Sequence, residues 1–268
     1  MLKKLLFGLT VAVAMMLGNT ASAITVDGNF GLMEWSGYYA GDDGVGKNGY
    51  VEPGYGGQSF DVEYLGLYID ANGTVYFGLQ TGFNLAKGVN SGGSHYSPGD
   101  FALDVNNDGV YDYAIRFTIK SGTPSFTLEK VSTWQKGKYS TQYSQFAVSD
   151  PYRYATGTAV STAFTGGYGS GIFSNNKDGG TSYVLEGSFD LTSLALYNGG
   201  AITLHWTMSC GNDYLNITAT PPPTPVPEPA TMLLIGSGLI SWGAWGFVKR
   251  RREGGHSKAS LKKNHRVR

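Results

Sequence analysis

An uncharged segment near the carboxyl end limits which part of this chain can form a globular domain. Residues 231–248 contain no charged side chain. As a helix they would extend about 27 Å, close to the hydrocarbon thickness of a bilayer. A basic run follows directly, made up of Lys249, Arg250, Arg251 and Arg252. We therefore predict a transmembrane helix over residues 231–248, with the basic run as a stop-transfer signal at the start of a cytoplasmic tail over residues 249–268.

The amino end has the order of a secretory signal peptide. Two lysines precede an apolar run over residues 5–17, and Ala21, Ser22 and Ala23 form a small-residue cleavage site. We predict a signal peptide over residues 1–23 and export of the chain that follows. The single cysteine, Cys210, excludes an intramolecular disulfide in that oxidising compartment.

The charge of the chain is unevenly distributed. The whole sequence has a formal net charge of zero, but residues 24–220 hold 18 acidic and 9 basic side chains. Binding of DNA or RNA requires a surface rich in lysine and arginine that neutralises phosphates. The acidic middle of the chain therefore argues against nucleic acid as a partner.

A proline-rich linker over residues 220–230 separates the middle of the chain from the predicted helix, and its composition favours a stiff extended spacer. It contains the motif Val226, Pro227, Glu228 and Pro229. This motif, the uncharged span and the arginine cluster together resemble the PEP-CTERM sorting signal of Gram-negative bacteria. The resemblance implies that an exosortase processes an inner-membrane-anchored precursor. It also implies that the product reaches the cell surface or the exopolysaccharide matrix of a biofilm.

Short alternating segments separated by turns dominate residues 24–219. Residues 61–70 and 74–81 flank an Asn-Gly turn and predict a β-hairpin. Further strands are predicted over residues 101–105, 110–119, 125–134, 154–164, 183–190 and 202–208. Glycine-rich stretches over residues 41–57, 88–99 and 166–180 are predicted to be long loops. The pattern predicts an all-β domain, an antiparallel and jelly-roll-like β-sandwich.

Several segments of this domain resemble family 9 carbohydrate-binding modules and the related DOMON-like domains. They are the opening residues 24–28 with Glu34 and Trp35, the hairpin over residues 65–78, the strand over residues 99–104 and the glutamate-bearing strand over residues 183–191. The resemblance implies a β-sandwich that binds carbohydrate.

The segment from Asp104 to Asp112 has the spacing of a calcium-binding loop. Its candidate ligands are Asp104, Asn106, Asp108, the carbonyl of Val110, and Asp112. Calcium takes six to eight oxygen ligands, so a remote residue or water would have to complete the shell. We predict weak, structural Ca²⁺ binding here. The alternative is a hairpin turn of Asn, Asp and Gly whose carboxylates are simply solvated.

Aromatic residues are the best candidates for ligand contact, because sugar rings stack on exposed aromatic faces. We select Trp35, Trp134 and Tyr139, and expect Trp134 to be exposed because polar residues flank it. The alternative is that these rings pack in the core.

The carboxylates show no catalytic arrangement. Glu186 and Asp190 would lie about 13 Å apart on one strand, too far for a glycosidase pair. We predict a non-enzymatic exported protein that binds extracellular polysaccharide. The alternatives are a structural or adhesive surface protein that binds another protein, and a glycoside hydrolase.

Overall fold

Antiparallel β-strands make up most of the described part of the chain. The structure is a computed structural model, and it describes residues 24–42, 44–46 and 48–223. Its strands are β1 (Tyr39–Gly41), β2 (Val62–Ile69), β3 (Thr74–Thr81), β4 (Val89–Ser91), β5 (Ser94–Tyr96), β6 (Phe101–Asp104), β7 (Tyr113–Lys120), β8 (Thr123–Gln135), β9 (Arg153–Val160), β10 (Thr165–Gly171), β11 (Ser182–Asp190), β12 (Ile202–Thr207) and β13 (Tyr214–Ala219). The helical elements among these residues are short 3₁₀ turns at Gln58–Phe60, Ser144–Ser149 and Leu191–Ser193.

The strands form two large sheets and a small hairpin. The five-stranded sheet has the order β1-β2-β3-β11-β10, the six-stranded sheet has the order β13-β12-β6-β7-β8-β9, and β4 pairs with β5. The predicted all-β, antiparallel class is therefore confirmed. The jelly-roll-like detail is corrected, because β6 to β9 form a meander of consecutive hairpins.

A single hydrophobic core fills the space between the two large sheets. The alternation of β3 directs Val75, Phe77 and Leu79 into this core, as the hairpin prediction requires. The six-stranded sheet contributes residues such as Leu103 and Trp206. Because both sheets contribute to one core, the arrangement is sandwich-like.

The outer face of the five-stranded sheet is also covered. The amino-terminal segment places Ile24, Phe30 and Trp35 in a second buried cluster on that face. Gly66 and Gly78 are paired across β2 and β3 beneath the Trp35 ring. A Cβ atom at either position would lie 2.5 Å or 2.8 Å from that ring, so glycine is required for the close approach.

The described residues carry the predicted sandwich domain but not the predicted ends. The predictions for residues 1–23, 231–248 and 249–268, and the sorting motif itself, lie outside the described residues. Within residues 24–42, 44–46 and 48–223, no helix has the length and apolar character needed to cross a membrane. Contacts define a unit whose last residue is Pro222.

Candidate functional site

An aromatic cleft of about 480 Å³ lies among the segments that connect the strands. Its walls come from the β1–β2 connection, the β4–β5 hairpin, the β8–β9 connection and the β12–β13 turn. The lining residues are Tyr55, Gly56, Phe60, Ser91, Tyr96, Tyr139, Tyr143, Gln145, Phe146 and Asn212. This volume falls in the range of small-molecule and cofactor sites.

The aromatic rings of the cleft contact one another in series. Tyr96 contacts Phe60, with ring centroids 5.6 Å apart, and Tyr139, at 6.4 Å. Tyr139 in turn lies 5.7 Å from Phe146 and 6.4 Å from Tyr143. These distances are typical of favourable edge and tilted ring pairs. The series forms a continuous apolar wall.

The cleft has a buried floor and an exposed rim. Phe60, Tyr96 and Phe146 are buried, whereas Tyr55 and Tyr143 are 62% and 53% exposed. A ring at the rim presents a face to solvent while its neighbours hold its position. The two exposed tyrosines are therefore the rings best placed to contact a ligand.

The polar groups of the cleft are neutral. Ser91, Gln145 and Asn212 supply a hydroxyl and two amides, and the ten described lining residues include no Asp, Glu or His. The hydroxyls of Tyr96 and Tyr139 lie 2.6 Å apart, and this hydrogen bond raises the pKa of Tyr139 to about 12. The Tyr139 phenol is therefore uncharged near neutral pH.

One lysine stands over the aromatic wall. The Lys138 ammonium lies 5.2 Å from the Tyr96 ring centroid and 5.5 Å from that of Tyr139, and it donates to Ser94 Oγ at 2.9 Å. Cation–π contacts of this kind orient the rings beneath them.

Of the three aromatic residues selected from the sequence, the structure places only Tyr139 in the cleft. Trp35 is fully buried, and its Nε1 donates to Glu186 Oε1 at 3.1 Å. Its assignment to ligand binding is corrected, because no face of its ring reaches solvent. Trp134 is half-buried, donates to the Tyr111 carbonyl at 2.9 Å, and lies outside the cleft lining.

Sequence reasoning missed most of the cleft. Tyr55 and Tyr143 were not singled out as ligand contacts, and Phe146 carried no signal. The available signal was the concentration of tyrosine in loop-like segments, but it did not indicate which loops meet.

In the loop predicted to bind calcium, the carboxylates accept hydrogen bonds from the main-chain amides of the same loop. Asp104 accepts from the amides of Asn107 and Gly109 at 2.7 Å and 2.8 Å. Asp112 accepts from Val105 at 3.1 Å, and Asp108 accepts from Val110 at 2.8 Å. Asn106 Oδ1 accepts from the Asp108 amide at 3.1 Å. This network is the one expected of a self-contained Asx turn, and calcium binding at the loop remains a prediction.

Outside the cleft, Glu186 is engaged in hydrogen bonds and Cys210 is inert. Glu186 accepts from the amides of Asp27 and Gly28 at 3.2 Å and 2.9 Å, in addition to Trp35. Burial raises the pKa of the Cys210 thiol to about 12, so it is not a nucleophile at neutral pH. The surroundings of Glu186 and Cys210 therefore indicate structural roles for both side chains.

Comparison with known families identifies the carboxyl end. The model of the PEP-CTERM protein-sorting motif matches residues 225–252. The chain carries a PEP-CTERM sorting motif. Comparison with curated proteins and with solved structures gives no match.

The PEP-CTERM motif assigns the chain to export. Proteins with this motif are exosortase substrates, and the motif implies an exported protein with a membrane-anchored precursor. The match begins at residue 225, beyond the last described residue of the sandwich unit. The motif therefore lies outside the described sandwich unit.

Proposed function

We propose that this exosortase-sorted protein binds a neutral extracellular polysaccharide in its aromatic cleft, at the cell surface or in the matrix of a Gram-negative bacterium. The observation that carries the proposal is the continuous wall of tyrosine and phenylalanine rings with exposed Tyr55 and Tyr143 at its rim. Aromatic faces pack against the apolar C–H faces of sugar rings.

The polar lining supports a neutral glycan rather than an anionic one. Ser91, Gln145 and Asn212 offer donors and acceptors that match sugar hydroxyls. The Lys138 ammonium already lies over two rings and donates to Ser94, so its charge is engaged by the aromatic wall. An anionic polymer would call for several free cations along the cleft.

The same lining supports binding without hydrolysis. Glycoside hydrolysis requires two carboxyl groups on opposite sides of the scissile bond. The described lining residues supply neither of them. We therefore propose a binding protein and not a hydrolase.

The proposal is tested by affinity electrophoresis of the full chain, purified in detergent, through gels that contain a neutral glucan, a neutral galactan or alginate. We expect a neutral polymer to retard the wild-type protein. Tyr143→Ala and Tyr55→Ala should each weaken retention roughly fivefold, since the loss of one stacked ring is worth about 1 kcal/mol. Both side chains are exposed, so the fold should tolerate the changes.

Tyr38→Ala is the matched control, because Tyr38 is also exposed but lies outside the cleft. Retention that is lost in Trp134→Ala but kept in Tyr143→Ala would move the site away from the cleft. Binding to alginate alone would contradict the neutral-glycan proposal. Absence of binding to every polymer, together with capture of a purified surface protein, would favour the adhesive alternative.

A further inference from the structure

Three aspartates from distant parts of the sequence converge beside the start of β2. Asp42 follows β1, Asp61 precedes β2, and Asp213 precedes β13. Each offers a carboxylate oxygen, and these oxygens lie within 4.8 Å of one another. The Asp42 amide donates to the Glu63 carbonyl at 3.2 Å, and Asp213 Oδ2 accepts from the Val62 amide at 2.5 Å. These two hydrogen bonds hold Asp42 and Asp213 against β2, next to Asp61.

Asp61 is the unusual member of the cluster. It is 1% exposed, and neither of its carboxylate oxygens has a hydrogen-bond partner. Asp213 is equally buried but accepts from Val62 and, at 2.7 Å, from Tyr214. A buried carboxyl group without a partner is costly, and such groups in native folds call for an unseen ion or water.

The charges around Asp61 increase this cost. Burial, followed by the negative charges of Asp42, Glu63 and Asp178, raises the pKa of Asp61 to about 8, while Lys177 opposes the shift. Glu63 is already satisfied, because Gln58, Gln80 and Ser182 all donate to its carboxylate. Asp42 and Asp213 also accept main-chain hydrogen bonds, from Gly44 and from Val62, whereas Asp61 accepts none. A cation beside Asp61 would offset the repulsion among these carboxylates.

We propose that the cluster of Asp42, Asp61 and Asp213 is a calcium-binding site. Calcium binds oxygen ligands at 2.3–2.6 Å, so two oxygens on one ion lie no more than about 5 Å apart, as these do. The oxygen-only donor set disfavours zinc and copper, which prefer nitrogen and sulfur. Both free oxygens of Asp61 are available to the ion. This site is separate from the loop at Asp104–Asp112.

The aspartate cluster lies next to two residues that line the aromatic cleft. Asp61 directly follows Phe60 and Asp213 directly follows Asn212, and both of those neighbours line the aromatic cleft. Asn212 also donates to the Tyr55 carbonyl and accepts from the Gly54 amide at 2.8 Å. Calcium would therefore hold together the two segments that form one wall of the cleft. This coupling to the ligand rests on the proposed function, whereas the site itself does not.

The site is tested with calcium alone, by titration calorimetry of the full chain in detergent after treatment with EGTA. We expect Asp61→Asn to bind one ion fewer per chain than the wild type. Addition of calcium should also reverse the order of the melting temperatures of the wild type and Asp61→Asn. Without calcium, Asp61→Asn should melt at least as high as the wild type, because the substitution removes a buried carboxyl group that has no hydrogen-bond partner. With calcium, the wild type should melt higher.

Asp108→Asn is the matched control, because it alters an exposed carboxylate in the other candidate loop. If Asp108→Asn loses the ion and Asp61→Asn keeps it, the proposal is overturned. Equal binding of Mg²⁺ would overturn the choice of calcium. Should Asp61→Asn fail to fold, Asp42→Asn supplies the same test at a half-buried position.

The coupling is tested separately by affinity electrophoresis in calcium and in EGTA. We expect weaker glycan retention in EGTA for the wild type, and calcium-independent retention for Asp61→Asn. Calcium binding without any glycan binding would leave the site intact and contradict only the proposed function. Glycan binding with no calcium uptake would overturn the site alone.

Discussion

Glu186 shows how one side chain joins two parts of the fold. It lies on β11, is fully buried, and accepts three N–H groups from the amino-terminal segment that covers the outer face of the sheet. Burial raises its pKa to about 7, although these three hydrogen bonds act in the opposite direction. We therefore expect the stability of the fold to depend on both the size and the charge of the side chain at position 186.

This environment predicts a pH-dependent contribution to stability. Because the folded pKa of Glu186 is about 7 and the usual value is 4.5, the folded state holds its proton more tightly. The contribution of Glu186 to the free energy of unfolding is fully present below pH 4.5. It is lost as the pH rises to about 7, by up to about 1.4 kcal/mol per pH unit.

Urea unfolding between pH 4.5 and 8 measures this contribution when wild type and Glu186→Gln are compared. We expect the free energy of unfolding of the wild type to fall relative to that of the variant over this range. Parallel profiles for the two proteins would contradict the assignment.

Burial of single residues was the hardest property to predict from the sequence. Trp35 and Tyr139 are both aromatic residues in polar surroundings along the chain, yet one is enclosed and the other lines the cleft. The difference comes from Gly66 and Gly78, which admit the Trp35 ring from strands that are distant in sequence. The sequence likewise places Asp61 at the edge of a predicted strand, because its neighbours Asp42 and Asp213 are brought in only by the tertiary fold.

At the scale of elements, the Asp104–Asp112 connection between β6 and β7 is held by its own side chains. Asp104 is buried and accepts from the amides of Asn106, Asn107 and Gly109. Asp108 is exposed and accepts from Val110 alone among the hydrogen bonds of this loop. Asp104 should therefore stabilise the loop more than Asp108 does, even without a cation.

We expect Asp104→Ala to lower the free energy of unfolding by roughly 2–3 kcal/mol, because three partly buried amides lose their acceptor. Asp108→Ala should cost roughly 1 kcal/mol or less. Urea denaturation in EGTA measures both changes without a contribution from calcium. Similar losses in the two variants would show that the Asp104 hydrogen bonds do not hold the loop.

Strands with clear alternation were predicted well, and glycine-rich ones were not. The hairpin of β2 and β3 is confirmed, with β3 at the predicted bounds Thr74–Thr81. β10 (Thr165–Gly171) lies largely within a stretch predicted to be a loop. Its Gly167 packs against the main chain of Asp27 and Gly28, where a Cβ atom would lie 2.6 Å from the Gly28 nitrogen. Glycine here reflects a contact with a remote segment, which local pattern cannot indicate.

At the scale of the whole molecule, the PEP-CTERM motif and the sandwich predict the termini of the mature protein. Ile24 directly follows the predicted cleavage site and is buried in the outer cluster. We expect mass spectrometry of protein from the native host to find Ile24 as the first residue and a last residue before 231. The reason is that we expect processing near the motif to remove the uncharged segment.

A variant with Glu228→Ala and Pro229→Ala should accumulate with residues 231–248 still attached. A strain that lacks its exosortase should give the same product from the wild-type gene, which separates recognition of the motif from general proteolysis. Recovery of a mature chain that still ends at Arg268 would contradict this route.

The last strand of the sandwich has a mechanical consequence for a protein delivered through its carboxyl end. β13 is an edge strand that pairs with β12 alone in its sheet, and the linker leaves directly from it. A pull on the linker, whether from the precursor's anchor or from a surface attachment, is applied first to the six residue pairs that join β13 to β12. We therefore expect β13 to yield first under such tension, so that its pairing with β12 would set the force that the domain withstands.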